Sequence, residues 1–175
     1  MPSTLVLIAS YTLSTATQSL EFTSIPSTYR HLLVKGSLHS NRSVGNDGGL
    51  NIRFNDSTVE YDYQQIYVSS TSIAGSGGTA FTETNISVVG IAQDTQNSNL
   101  FSPLEFMIPN YANTSIYKTG YGSSANVPPS SGSGASGHFS GMWQGTSAIN
   151  KIQIRTNAGS SNFVTNSTYY LYGIQ

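Results

Sequence analysis

The chain has 175 residues, no cysteine and a net charge of −1, with 9% of its residues charged and 11% aromatic. That length supports one core burying roughly 70% of the unfolded-chain surface, and the missing cysteines exclude disulfides and thiolate metal sites as its staples. Seven cationic residues dispersed among eight acidic ones exclude the clustered positive field that binding a phosphate backbone requires, so nucleic acid is not an expected partner.

In chain order, Leu5-Val6-Leu7-Ile8-Ala9 comes first. It lacks a basic flank and is too short for a signal-peptide core or a membrane span, so it reads as a strand and no membrane insertion is expected. Further strand segments lie around Leu20 to Thr23, His31 to His39, Leu50 to Phe54, Tyr61 to Ser69 and Ile86 to Ala92. They continue around Leu104 to Ile108, Ser115 to Tyr121, His138 to Gln144, Lys151 to Thr156 and Thr168 to Ile174. The clearest are Leu50, Ile52 and Phe54, and Leu104, Phe106 and Ile108, where apolar side chains recur at every second position. No window sustains helical periodicity. Spacers such as Asn55-Asp56-Ser57 supply residues that tolerate positive φ or bond their own backbone. Strands at this cadence predict an all-β, antiparallel, jelly-roll-like sandwich of about ten strands, as one domain over residues 1–175. The stretch from Gly122 to Gly137, rich in Ser, Gly and Pro with little to bury, is expected as a long flexible exposed loop.

Candidate chemistry is sparse. His31 and His39 share a strand face eight residues apart, but roughly 26 Å of extended chain separates them, too far for one metal ion. The nucleophile-elbow pattern Gly-x-Ser-x-Gly does not occur. Gly75-Ser76-Gly77-Gly78 lacks the following Lys-Ser or Lys-Thr of a phosphate cradle and reads as a turn. Nothing selects a glycosidase pair among the eight carboxylates. Asn46, Asp47 and Asp56 could supply loop oxygens to calcium, yet turn formation explains them more simply. Five Asn-x-Ser/Thr triplets, beginning at Asn41, Asn55, Asn85, Asn113 and Asn166, are expected by chance in a chain of this composition. No catalytic, cofactor-binding or metal-ligating residue is therefore assigned, and the expectation is a structural or binding protein rather than an enzyme.

The aromatics carry more information, because tyrosine joins an apolar ring to a polar tip and suits subunit interfaces and sugar-stacking surfaces alike. Tyr61, Tyr63 and Tyr67 share one strand face, as do Tyr170 and Tyr172, while Trp143 lies near the expected loop. These six are the candidate interface or ligand contacts, with about half expected to serve simple packing.

The apolar first strand is followed by Ser14-Thr15-Ala16-Thr17, then by Leu20-Glu21-Phe22-Thr23-Ser24-Ile25-Pro26-Ser27-Thr28-Tyr29 and His31-Leu32-Leu33-Val34. With Ile108-Pro109-Asn110-Tyr111, Gly141-Met142-Trp143, Ile149 to Ile154, Asn162-Phe163 and the closing Tyr170-Leu171-Tyr172-Gly173-Ile174, this pattern resembles β-rich virion modules of tailed bacteriophages. The resemblance covers nearly the whole chain in sequence style and has no catalytic signature. It implies a trimeric or otherwise symmetric exterior part of the particle, made in the host cytoplasm and serving as head decoration, cement or fibre tip. The sandwich starts almost at the first residue with no upstream shaft, which favours decoration or cement, with the major capsid protein as partner. A fibre-tip module binding host surface glycan through residues 94–99, 122–137 and Trp143 is the alternative, and a glycan-cleaving enzyme is a further one.

Overall fold

Alternating burial along Leu50–Phe54 and Ser102–Pro109 follows the apolar periodicity of the sequence, and every regular element among the described residues is a strand. The structure is a computed structural model that describes residues 4–43, 48–69, 72–93, 98–127, 134–157 and 161–175. The strands are β1 (Leu5–Thr12), β2 (Ser19–Phe22), β3 (His31–Ser40), β4 (Gly48–Phe54), β5 (Tyr61–Ser69) and β6 (Ser72–Glu83). They continue as β7 (Ile86–Gln93), β8 (Ser102–Pro109), β9 (Lys118–Asn126), β10 (Ala135–Trp143), β11 (Ile152–Thr156) and β12 (Thr168–Ile174). The fold is the all-β, jelly-roll-like sandwich expected, and the described residues contain no helix.

Eight strands pair in the order β1-β12-β3-β8-β9-β10-β5-β6, and four in the order β2-β11-β4-β7. All of these pairings are antiparallel. The two layers join where the end of β3 pairs parallel with β7, His39 opposite Ala92. Between the layers lies a core of buried hydrophobic side chains drawn from β2, β3, β4, β5, β7, β8, β10, β11 and β12. Phe54 of the smaller sheet is its hub. Its ring lies 6.3 Å from Phe106, 6.1 Å from Trp143 and 6.2 Å from Tyr61, three rings from three strands of the larger sheet.

Tyr61 also closes the corner that carries the chain from one layer to the other. Its hydroxyl accepts a hydrogen bond from the Phe54 backbone N–H at 2.8 Å and donates to the Phe54 carbonyl at 3.3 Å. Asn55 and Asp56, with φ of 50° and 60°, make the turn. The Asn55 side chain then locks the neighbouring loop, donating to the Ala148 carbonyl and accepting from the Asn150 and Lys151 N–H groups at 3.0 and 3.1 Å.

Two sequence expectations need correction. Gly75 to Gly78 do not form a turn but lie inside β6, paired with Ile66 to Tyr63 of β5. Residues 122–137 are strand at both ends: β9 runs to Asn126 and β10 starts at Ala135, leaving 127–134 as the connection, of which 128–133 lie outside the described residues. The reason is close approach. A Cβ at Gly122 would run into the Glu105 carbonyl oxygen and come within 2.7 Å of Phe139 Cζ, and one at Gly141 would come within 2.6 Å of Ile86 Cδ1. Strand β7 presses on this small-residue floor and is hydrogen-bonded to it: Ser124 Oγ donates to the Val89 carbonyl, and Asn126 Nδ2 donates to that of Ile91 at 3.1 Å. Gly90 makes the approach possible with a φ of 90°, where an added Cβ would lie 2.6 Å from the Ala135 carbonyl oxygen.

Two outcomes test this packing. Gly122→Ala should lower unfolding stability in urea by roughly 1–3 kcal/mol, the usual cost of overpacking; an unchanged midpoint would contradict the close approach. Burial pushes the Tyr61 hydroxyl up to about 12, against a hydrogen bond to the Phe54 backbone that pulls the other way. Between pH 10 and 12 the folded state keeps a proton that the unfolded chain releases, so stability should fall as pH rises through that window. In Tyr61→Phe the fall should be shallower, with Tyr111 and Tyr169, also raised by burial, supplying the remainder. An identical pH slope in the variant would contradict a buried Tyr61.

Candidate functional site

The two outward faces of the sandwich differ in chemistry. On the smaller sheet the outward positions are polar and charged: Ser19 and Glu21 on β2, Gln153 and Arg155 on β11, Asn51 and Arg53 on β4. Lys151, just before β11, reaches Glu21 at 2.9 Å and Asp56 at 2.7 Å. Its hydrogen bond, helped by one from Gln153, holds the Glu21 carboxyl below its usual range.

The outward face of the eight-stranded sheet carries few charges and mixes large apolar side chains with small polar ones. Register fixes its rows. One row runs Leu7, Tyr172, Leu33, Met107, Tyr121, Ser140 and Gln64 across β1, β12, β3, β8, β9, β10 and β5. The next runs Tyr170, Lys35, Glu105, Ser123, His138 and Ile66. Tyr121 donates its hydroxyl to Met107 Sδ at 3.3 Å along the first row, and Lys35 pairs with Glu105 at 2.9 Å along the second. The pair is half exposed and contributes little stability, but it neutralises two of the charges on this face.

Across this face runs a trough of about 710 Å³. Ser123, Ala125, Ser136 and Gly137 floor it, Ile66, Val68 and Ile73 form one wall, and Lys35, Pro103 and Glu105 form the other. Two shallower hollows of about 440 and 350 Å³ continue it along β10, beside Tyr121, Ser140, Met142 and Gln64, and beside His138 and Ile66. Small side chains on β10 thus leave a furrow that larger neighbours flank.

The six aromatic candidates separate cleanly. Tyr61 and Trp143 are brought together, their rings stacked at 6.3 Å, but in the core: Tyr61 is 0% and Trp143 6% exposed, so neither is a surface contact. Trp143 ends β10 at the opposite tip from the connection it was expected to accompany. Tyr63 is half-buried against the core, and half-buried Tyr67 borders the trough. Tyr170 and Tyr172 stack on each other at 6.3 Å on the outward face of the large sheet. The tyrosine face of β5 therefore points inward, and its exposed apolar side chains are the residues between: Ile66, 58% exposed, and Val68, near which Ile73 and Tyr121 are exposed too. Their signal was the alternation itself, once the inward side was known.

The polar candidates have local roles. His39 is buried, its Nδ1 2.6 Å from the Leu100 carbonyl and its ring against Phe101, while His31 Nδ1 accepts from the Asn110 N–H and burial lowers its pKa. The fully buried Lys118 ammonium donates to the carbonyls of Asn113, Ile116 and Thr146 at 2.6 to 2.8 Å and ties two loops together; burial lowers its pKa. Asn41 and Asn113 accept backbone hydrogen bonds with their side chains, from Asn162 and Ser115. Asn46, Asp47 and residues 94–97 lie outside the described residues, among which no group of three or more His, Asp or Glu side chains could hold a metal ion.

No protein-family model and no curated protein sequence matches the chain. Among solved structures it is similar to the carbohydrate recognition domain of Emp46p in its potassium-bound form, at 11% identity over 97% of this chain and 88% of that one, with a TM-score of 0.30. It also matches the VP2 subviral particle of infectious bursal disease virus at 9% identity over 99% of this chain and 40% of that one, with a TM-score of 0.12. Likenesses this distant carry no functional argument.

Proposed function

We propose that the protein is an exterior structural component of a tailed-phage particle, a decoration or cement protein that self-associates and docks on the capsid through the outward face of its eight-stranded sheet. The observation that supports this most is the segregation of the two faces. Paired and solvated charges gather on the smaller sheet, whereas the larger one presents Leu, Tyr, Met and Ile side chains among Ser, Gln and His, with its Lys35–Glu105 charges mutually neutralised. Eight strands about 4.8 Å apart and about 23 Å long make a face of about 800 Å², the area one partner contributes to a standard protein interface. Exposed apolar side chains gathered on one face mark interaction sites, and contact through a relief-bearing face would add binding energy to a shell without requiring chemistry. The phage setting comes from the sequence resemblance.

The hollows favour a second reading. The Ser123 and Ser136 hydroxyls in the trough, and the Ser140 hydroxyl in the hollow that the half-exposed Tyr121 also lines, are groups that also recognise sugars.

Co-sedimentation with assembled heads separates these readings. Ile66→Lys and Tyr121→Lys should each weaken head binding at least tenfold, about 1.4 kcal/mol, while leaving unfolding stability within about 0.5 kcal/mol. Asn51→Lys on the opposite face should leave binding unchanged. Weakening by Asn51→Lys alone would contradict the docking face, and retention on immobilised glycan without head binding would transfer the assignment to the second reading.

A further inference from the structure

The first strand is out of keeping with its own composition. Six of the eight residues of β1 are apolar, and the run Leu5-Val6-Leu7-Ile8-Ala9 is the pattern of a strand covered on both faces. None of the eight is buried; Leu5 is 50% and Leu7 52% exposed. Among the described residues β1 pairs with β12 alone, so its other edge presents unpaired N–H and C=O groups from about half of its residues.

Free edges are normally protected by charge, proline, shortness or a bulge, and among the described residues the β2 and β6 edges each carry a charge. Strand β2 is four residues long and carries Glu21 in an ion pair. Strand β6 has a register irregularity opposite Tyr61 to Tyr63 and ends in Glu83. Strand β1 is eight residues long with no charge or proline, and its one such device is the bulge between Leu7 and Ala9.

We infer that the free edge of β1 pairs antiparallel with β1 of a second copy, extending the large sheet across a two-fold axis and covering Leu5 and Leu7 of both chains. The occupant follows from charge and symmetry. A dyad places the edge against itself, and such contacts must be self-complementary. The uncharged β1 meets its own copy without like-charge repulsion. The contact is continuous with the outward face, because Leu7 begins the row that passes through Tyr172, Leu33 and Met107. The seam rests only on the self-association in the proposed function and is independent of capsid docking. It makes a dimer, and not a trimer, the elementary unit.

Sedimentation equilibrium of the intact chain tests it. Wild type should be a dimer, and Leu5→Lys/Leu7→Lys should weaken dimerisation at least tenfold, with far-ultraviolet circular dichroism confirming the fold. Ile73→Lys, at a β6 position 75% exposed, should dimerise as wild type does. Hydrogen exchange on wild type gives a readout free of substitution: β1 amides that do not donate to β12 should be slow in the dimer and fast on dilution. A monomeric wild type, an association that survives Leu5→Lys/Leu7→Lys but is lost in Ile73→Lys, or β1 exchange indifferent to concentration would each overturn the seam. Head binding by the monomeric double variant would separate seam from docking face, and a dimer that ignores heads would leave the seam standing while removing the capsid reading.

Discussion

The ring of Phe54 is where the two layers of this protein are held. It comes from the smaller sheet and meets Phe106, Trp143 and Tyr61 of the larger one, with Phe139 stacked behind Phe106 at 5.4 Å. Aromatic side chains bury more apolar area than any others, and offset contacts among them add to that gain. Because Tyr61 also binds both backbone groups of Phe54, the same cluster fixes where β4 ends and where the chain crosses to β5. The registers of β4, β5, β8 and β10 are thereby coupled to one another.

A consequence of this arrangement is an imbalance between layers. Four strands cover eight, and all of the covering is on one side. The outward side of the smaller sheet satisfies itself with charged and amide groups, while the outward side of the larger sheet keeps side chains such as Ile66, Tyr121 and Leu7 in water. At roughly 25 cal/mol per Å² of apolar surface, withdrawing that face from solvent is a substantial reserve of binding energy. A chain with 9% charged residues has little long-range field with which to attract a partner, so in the proposed docking shape and apolar contact would carry recognition.

The fold class was legible because β4 and β8 spell out their inward face residue by residue, and the turns around Asn55 use the residues such turns demand. The adjoining ends of the glycine-rich strands were not. In β9 beyond Tyr121 and in β10 before His138, the inward positions Gly122 and Gly137 are glycine because another backbone or ring fills the space a side chain would take, and a rule that looks for apolar side chains reads such positions as loop. The tyrosines of β5 posed a different problem. Alternation shows that Tyr61, Tyr63 and Tyr67 share a face, but a half-polar ring suits either side of a sheet, and only the packing of Tyr61 under Phe54 shows that the face is inward. The outward rows were illegible for a third reason: Leu7, Tyr172, Leu33, Met107 and Tyr121 come from five distant segments that only the pairing brings into line.

The central claim is that the outward face of the larger sheet, and not the charged face opposite, is the one withdrawn from solvent when the protein meets its partner. Hydroxyl-radical footprinting of free and head-bound protein addresses it directly, since Met107, Met142 and Tyr121 are readily oxidised reporters on that face. The account expects all three to be modified in the free protein and protected in the bound one. Unchanged modification of these residues on binding would contradict it.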